Sequence, residues 1–234
     1  MLRSRRLDRV AALAGCALVT AALAIIWIAR STVPRELYVS ELGAEGEPTA
    51  GWFQLALVLI VIGGSMVAWA GRGVRSSVRV LSAWTPAVSL WVGCALFLFA
   101  SQVTCTAGCP LPYGATFNWQ DFWHTLAAVL AFAAACWAML QTSFAREHRL
   151  LAALSLTMAL AVAVIASTGG LFSLLRFQAA LGGRLEFIAT TLAIAWLVVF
   201  GAMLALRRQQ HPDASLGDLQ TAYASRGPSA SITH

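Results

Sequence analysis

The sequence predicts an all-α membrane protein, a single bundle of six transmembrane helices with both termini in the cytoplasm. Three observations carry that reading. Of 234 residues, 59% are hydrophobic and 11% are charged, against about 25% charged in a soluble domain. Six apolar runs are each close to the ~20 residues that carry a helix across ~30 Å of hydrocarbon. The basic residues, all arginine, are sorted by side: twelve on one side of the predicted membrane and four on the other.

The runs are Val10–Ala29, Trp52–Ala70, Val80–Ser101, Phe122–Leu140, Leu150–Thr168 and Phe187–Leu206. In lipid the backbone must satisfy its own hydrogen bonds, so each run is expected to be helical. The spacers are short and leave no room for a soluble domain. The expected organisation is a cytoplasmic N-terminus at 1–9, a membrane domain at 10–206 and a disordered cytoplasmic tail at 207–234, rich in Ser, Ala, Gly and Pro.

Span one contains "LAGC", Leu13 to Cys16, the form of a lipoprotein cleavage box. The apolar stretch before it is too short for a signal h-region and the apolar run continues past it, so an uncleaved span is expected. Span two carries Gly63-Gly64-Ser65, a smooth surface for close helix packing or ordinary small residues. Span three contains Pro86, expected to kink it or to be absorbed near its inner end. Trp27, Trp52, Trp119 and Trp123 fall near one interface and Trp69, Trp84 and Trp137 near the other, where indole has a buried ring and a wet N–H. Trp91 and Trp196 are deeper and expected between helices.

Arg3, Arg5, Arg6, Arg9, Arg72, Arg75, Arg79, Arg146, Arg149, Arg207, Arg208 and Arg226 flank the cytoplasmic ends; Arg30, Arg35, Arg176 and Arg184 flank the outer ends. This positive-inside bias sets the orientation. The net charge of +6 is therefore a topology signal, not a nucleic-acid signal. The expected location is a bacterial cytoplasmic membrane, with lipids and a further membrane protein as the candidate partners.

Two outer connections stand out. In "STVPRELYVSELGAEGEPTAGW", the "ELYVSEL" segment is expected to lie as a short ordered piece over the helix ends. "GGLFSLLRFQAALGGR" is too apolar for a free loop. It is read as a short interfacial helix over residues 171–181, with Arg176 and Gln178 facing water, ahead of an extension of span five.

No Asp, Glu, Lys, Arg or His sits in the middle third of any span, which argues against a proton-coupled carrier or ion channel. The ionisable groups gather at the outer ends: Glu41, Asp121, His124, Arg184 and Glu186. Any site therefore opens outward, and His124 and Glu186 are expected within reach of water. Asp121 and His124 are three apart and share a helical face. They suit an acid–base pair or, the preferred reading, an N-terminal acid meeting the helix dipole beside an interfacial histidine. Arg184 and Glu186 suit an anchor or an ion pair with a neighbouring helix.

Cys105 and Cys109 sit in "CTAGCP". With His124 and Asp121 they could just supply a metal set, but C-x3-C is a weak signal and no metal or other cofactor is expected. C-x3-C is also not the thioredoxin spacing. On the oxidising side of a membrane, nearby cysteines pair, and Gly108 supplies the turn. A short disulfide is expected. Cys16, Cys94 and Cys136 lie inside spans as small packers.

"YVSELGAEGEP" after span one, "CTAGCP" after span three, a histidine opening span four, and "GGRLEF" with Trp196 at span six resemble, in that order, the bacterial and archaeal membrane family known as domain of unknown function 998. The resemblance covers residues 10 to 206 and implies a six-helix membrane protein with motifs at its outer face, and no activity. The Ser-Glu-Leu-Gly stretch is also loosely similar to six-span proteins of the Frag1, DRAM and Sfk1 type, which implies a lipid-related accessory role. An acid followed by arginine would open span six in the family; here the order is Arg184-Leu185-Glu186.

The leading functional expectation is a non-catalytic accessory protein that binds lipid or a membrane partner. The alternative is an integral-membrane enzyme acting on a lipid or isoprenoid, with Asp121, His124, Glu41 and Glu186 as acid–base groups. A small-molecule transporter is the third. A cavity converging the carboxylates on His124 would favour the enzyme, and a filled core would favour the accessory role.

Overall fold

The computed structural model describes residues 2–145, 149–175 and 177–207. The expected tail beyond Arg207, with Arg146, His148 and Arg176, lies outside the described residues; Arg207 itself ends α6. Six helices and no strand occur among the described residues: α1 (Leu2–Thr32), α2 (Ala50–Gly71), α3 (Pro86–Gln102), α4 (Trp119–Ser143), α5 (Arg149–Leu174) and α6 (Ala179–Arg207). Two 3₁₀ turns, Ser40–Gly43 and Gly114–Thr116, sit in the loops. Each helix packs on its sequence neighbours, α6 closes back on α1, and α2 also touches α6 across the middle.

Five helices are long and apolar enough to cross a membrane; α3 is the exception. The expected span Val80–Ser101 begins late because of Pro86. Proline disfavours helical geometry in the residue before it, and Thr85 is extended at φ −81°, ψ 157°. Pro86 therefore opens α3 at its first turn, where its missing N–H costs nothing, and does not kink it. At ~1.5 Å per residue, the 17 residues of α3 rise about 25 Å.

The other helices overrun their expected bounds at both ends: α1 most at its N-terminus, α5 and α6 most at the end that carries the loops 33–49 and 103–118, here the capped end. The expected interfacial helix over 171–181 does not form. α5 continues to Leu174 and α6 starts at Ala179, with the break between them at Gln178, φ 48°. Small residues explain this. A Cβ on Gly169 would lie 3.2 Å from Gly182 O and from the Leu185 Cβ, so the bare backbone lets both helices run on in contact. Leu171, Leu174 and Leu181 stay on the exposed surface.

The core is mostly aliphatic and small. Val19, Ala56, Val67, Val162 and Phe200 are fully buried. α1 and α2 cross at glycines: a Cβ on Gly63 would lie 2.7 Å from Gly15 O, and one on Gly15 2.6 Å from Gly63 O. The Gly63 surface is thus a close-packing surface, as small residues at membrane-helix contacts are. α1 runs unbroken through Cys16, which is buried against α6, where its Sγ crowds Gly201. Trp196 is 1% exposed, donates to Ser155 Oγ at 2.9 Å and stacks on Phe200. Trp91, expected between helices, is exposed on the bundle surface and donates to Ser65 O of α2.

At the other end, Asp8 of α1 accepts from Arg72 beyond α2 at 2.8 and 3.1 Å. Gln141 of α4 donates to Leu81 O and Trp84 O and accepts from Ser89 Oγ, tying the 80–85 segment to α3 and α4.

Candidate functional site

Three loop segments knit into a cap over one end of the bundle. In the first, Leu37, Val39 and Leu42 point inward and are buried, so "ELYVSEL" is an ordered piece as its alternating apolar residues dictate. Its acids are absorbed by arginines. Glu41 is 9% exposed and accepts from Arg35 at 2.6 Å and from Tyr38 N–H. Arg35 also reaches Glu47, and these two carboxylates push its pKa further up. Glu36 bridges Arg184 at 2.6 Å and Arg30 at 3.1 Å. The hydrogen bond from Arg184 holds the Glu36 carboxyl below its ordinary range. A depressed carboxylate favours the fold above its unfolded pKa, and that favour is lost as pH falls through the folded value. The strap across α1, the loop and α6 is therefore intact at neutral pH and opens on strong acidification.

The second segment is the cysteine loop. Cys105 and Cys109 form a disulfide, S–S 2.11 Å, with Cα atoms 5.1 Å apart. Gly108 takes φ 78° and Cys109 φ 46°, the left-handed region that glycine enters freely. Maleimide should label neither residue until reductant is added. Labelling of both beforehand would refute the bond. The third segment is the start of α4, capped by Asn118, whose Oδ1 accepts from Gln120 N–H at 2.8 Å. Gln120 in turn donates to Glu45 and to Thr104 O.

Asp121 and His124 do share a face of α4, and both are buried, but they do not pair with each other. Asp121 is 0% exposed and accepts from Thr106 N–H at 2.7 Å and Thr106 Oγ1 at 2.8 Å. It clamps the cysteine loop to α4. The His124 Nδ1 lies 2.7 Å from Val103 O and 3.2 Å from Ala100 O. Carbonyls only accept, so Nδ1 carries hydrogen, and in the neutral ring Nε2 is the acceptor. The expectation that water reaches His124 is corrected: it is 6% exposed, because the cysteine loop folds down over it.

Cys105, Cys109 and His124 bring three potential ligand atoms within 4.8 Å of one another. The two sulfurs are bonded to each other, so neither is the thiolate a metal takes, and both Asp121 oxygens are engaged by Thr106.

Below the cap lies a partly open cavity of about 100 Å³, lined by residues of α1, α2, α3, α4 and α6 together with Val39 and Ser40. The walls are apolar: Phe53, Leu57, Phe97, Phe132 and Ile194 are representative, with Trp196 at depth. His124, Glu186, Thr190 and Ser40 supply the main polar groups on the lining. All four belong to the capped end. From Glu186 to Leu197 the lining follows α6 for eleven residues, about 16 Å at ~1.5 Å per residue.

The cavity thus takes two of the four sequence candidates, His124 and Glu186, and leaves Glu41 and Asp121 to structural bonds. Glu186 is half-buried, and its Oε2 accepts from Val39 N–H at 3.0 Å. Arg184 turns away to Glu36. The sequence reading passed over Thr190 and Ser40. Thr190 was findable, since it lies four residues after Glu186 and so on the same helical face. It is 9% exposed and its hydroxyl has no partner, whereas its neighbour Thr191 accepts from Trp27.

No curated protein and no solved structure matches the chain. A family model does match, over residues 10–203, and its description is a protein of unknown function (DUF998). That match takes in every helix that builds the cavity and both loops of the cap, so the chain belongs to the DUF998 family.

Proposed function

We propose that this protein is a six-span membrane protein that holds a lipid chain in the cavity beneath its cap, as a non-catalytic accessory protein: the core is not filled, but of the candidate carboxylates only Glu186 meets His124 in the cavity, short of the convergence an enzyme would need. One observation carries the reading: an apolar cavity that runs about 16 Å along α6, half of the ~30 Å hydrocarbon thickness, and has polar groups at only one end. That is the depth of one leaflet and the polarity of one amphiphile. A water-lined path would support transport instead, and the apolar walls oppose it.

The proposed orientation puts the capped end outside and both termini in the cytoplasm, on the arginine bias. α3 crosses with help from the 80–85 segment. Reporter fusions after Gln141 and after Ala115 should report opposite sides; the same side for both would sink the topology.

The lipid reading is tested by mass spectrometry of lipid extracted from purified protein. Ala128→Phe and Ala193→Phe each put a ring into the cavity lining. Co-purified lipid should drop to the background of annular lipid in both while the folded protein is still recovered. Unchanged lipid content in both variants would overturn the reading.

A second reading is favoured by His124 and Glu186 facing one cavity. An imidazole and a carboxylate there suit acid–base chemistry on a bound isoprenoid or lipid. Turnover of the co-purified lipid by wild type, lost in His124→Gln, would establish it.

A further inference from the structure

We propose that the lipid held in this cavity ends in an uncharged, hydroxyl-bearing head, which the polar end recognises as a hydrogen-bond donor. The inference rests on the lipid-chain reading above and goes on to the chemistry of the head.

Among the described residues the polar end is rich in acceptors and holds no cation: none of the described arginines lines the cavity. The described arginines of the capped end are spent elsewhere: Arg30 and Arg184 on Glu36, and Arg35 on Glu41 and Glu47. A phosphate or carboxylate head would therefore bring a full charge into an apolar site with no positive partner, and burying an unpaired charge costs far more than burying a hydrogen-bonded hydroxyl. Lipid sites for anionic heads are built from Arg or Lys, and this one is not.

The acceptors are specific. Glu186 takes a backbone N–H bond from Val39, which leaves much of a carboxyl group's acceptor capacity open. His124 gives its Nδ1 hydrogen to backbone carbonyls, which leaves its other ring nitrogen as an acceptor. Thr190 is the second, independent sign of a ligand. Its hydroxyl is buried with no partner and sits on the cavity lining one helical turn below Glu186. A buried hydroxyl left unpaired costs about 1–3 kcal/mol, so this one marks a place for a polar atom that the chain does not supply. A hydroxyl both donates and accepts. It can give its hydrogen to Glu186 or His124 and take one from Thr190. An ether cannot donate, and a phosphate monoester brings charge.

The test is a competition among three probes with the same long chain: the alcohol, its methyl ether and its phosphate monoester. Each is offered to purified full-length protein, and occupancy is read by native mass spectrometry. The alcohol should be retained about ten-fold over the ether, the effect of one or two hydrogen bonds to strong acceptors, and over the phosphate by more. Thr190→Val keeps the shape of the side chain and removes the hydroxyl. Together with Glu186→Gln it should bring alcohol and ether to equal retention while the chain still binds. Thr190→Ser should keep the preference, which separates a recognition role from a packing role.

Equal retention of alcohol and ether by wild type, or a phosphate ester bound as well as the alcohol, would overturn the head-group inference and leave the chain reading standing. Retention of none of the three would remove both.

Discussion

Gly63→Leu is expected to prevent the bundle from assembling, with loss of the folded monodisperse species in detergent. The new Cβ alone would lie 2.7 Å from Gly15 O, 2.7 Å from a Val19 methyl and 3.0 Å from the Leu18 Cβ. The first of these is backbone and cannot rotate away. Ordinary overpacking costs about 1–3 kcal/mol because side chains can shift; here α1 must move off α2 as a body. Gly63→Ala should already cost at the upper part of that range, read as a lowered thermal transition on fluorescence-detected size exclusion. Gly51→Ala in the same helix meets nothing within 4 Å and should behave as wild type. A Gly63→Leu protein as heat-stable as wild type would show that α1 and α2 do not cross here.

Asp121→Ala should be the most damaging change in the cap. It removes the acceptor of two short bonds from Thr106 and leaves the half-buried Thr106 N–H without its partner. Hydrogen bonds to a charged group contribute about 1.5–3 kcal/mol each, so a loss of about 3 kcal/mol or more is expected. The damage should be local first. Residues 103–118 should exchange amide hydrogen faster, and His124, held by Ala100 O and Val103 O, should lose its fixed place on the cavity lining. Glu45→Gln leaves the Glu45 N–H bond to Cys105 O in place and should do little. If Asp121→Ala keeps wild-type exchange over the cysteine loop, the clamp is not what holds the loop down.

Much of the frame follows from the chain alone, because lipid imposes simple rules. Apolar runs of membrane length become helices, and the helices appear wherever the sequence has such runs. Pro86 carried a sharper message than a kink: its effect on Thr85 starts α3 there. The start of α4 was less legible: the expected span opens at Phe122, whereas the helix begins at Trp119 and Asn118 caps it. The Cys105–Cys109 pairing follows from four-residue spacing around a glycine. Local chemistry, within a turn or two, is what a sequence exposes.

Partnership between distant segments is what it hides. Glu41, Asp121, His124 and Glu186 look alike in sequence as polar groups at helix ends. Only the fold separates them, by setting Arg35 beside Glu41, Thr106 beside Asp121, and nothing but backbone N–H and open cavity beside Glu186. The same holds for glycine. Gly15, Gly63, Gly169 and Gly51 are equivalent as letters, yet three are crossed by another helix at contact distance and the fourth faces open space. Composition and period determine that helices form and which ends are polar, because those are properties of one segment and its solvent. Which carboxylate is spent on an ion pair and which is left on the cavity lining was decided only when the segments met, because burial and hydrogen-bond satisfaction belong to pairs of residues far apart in the chain.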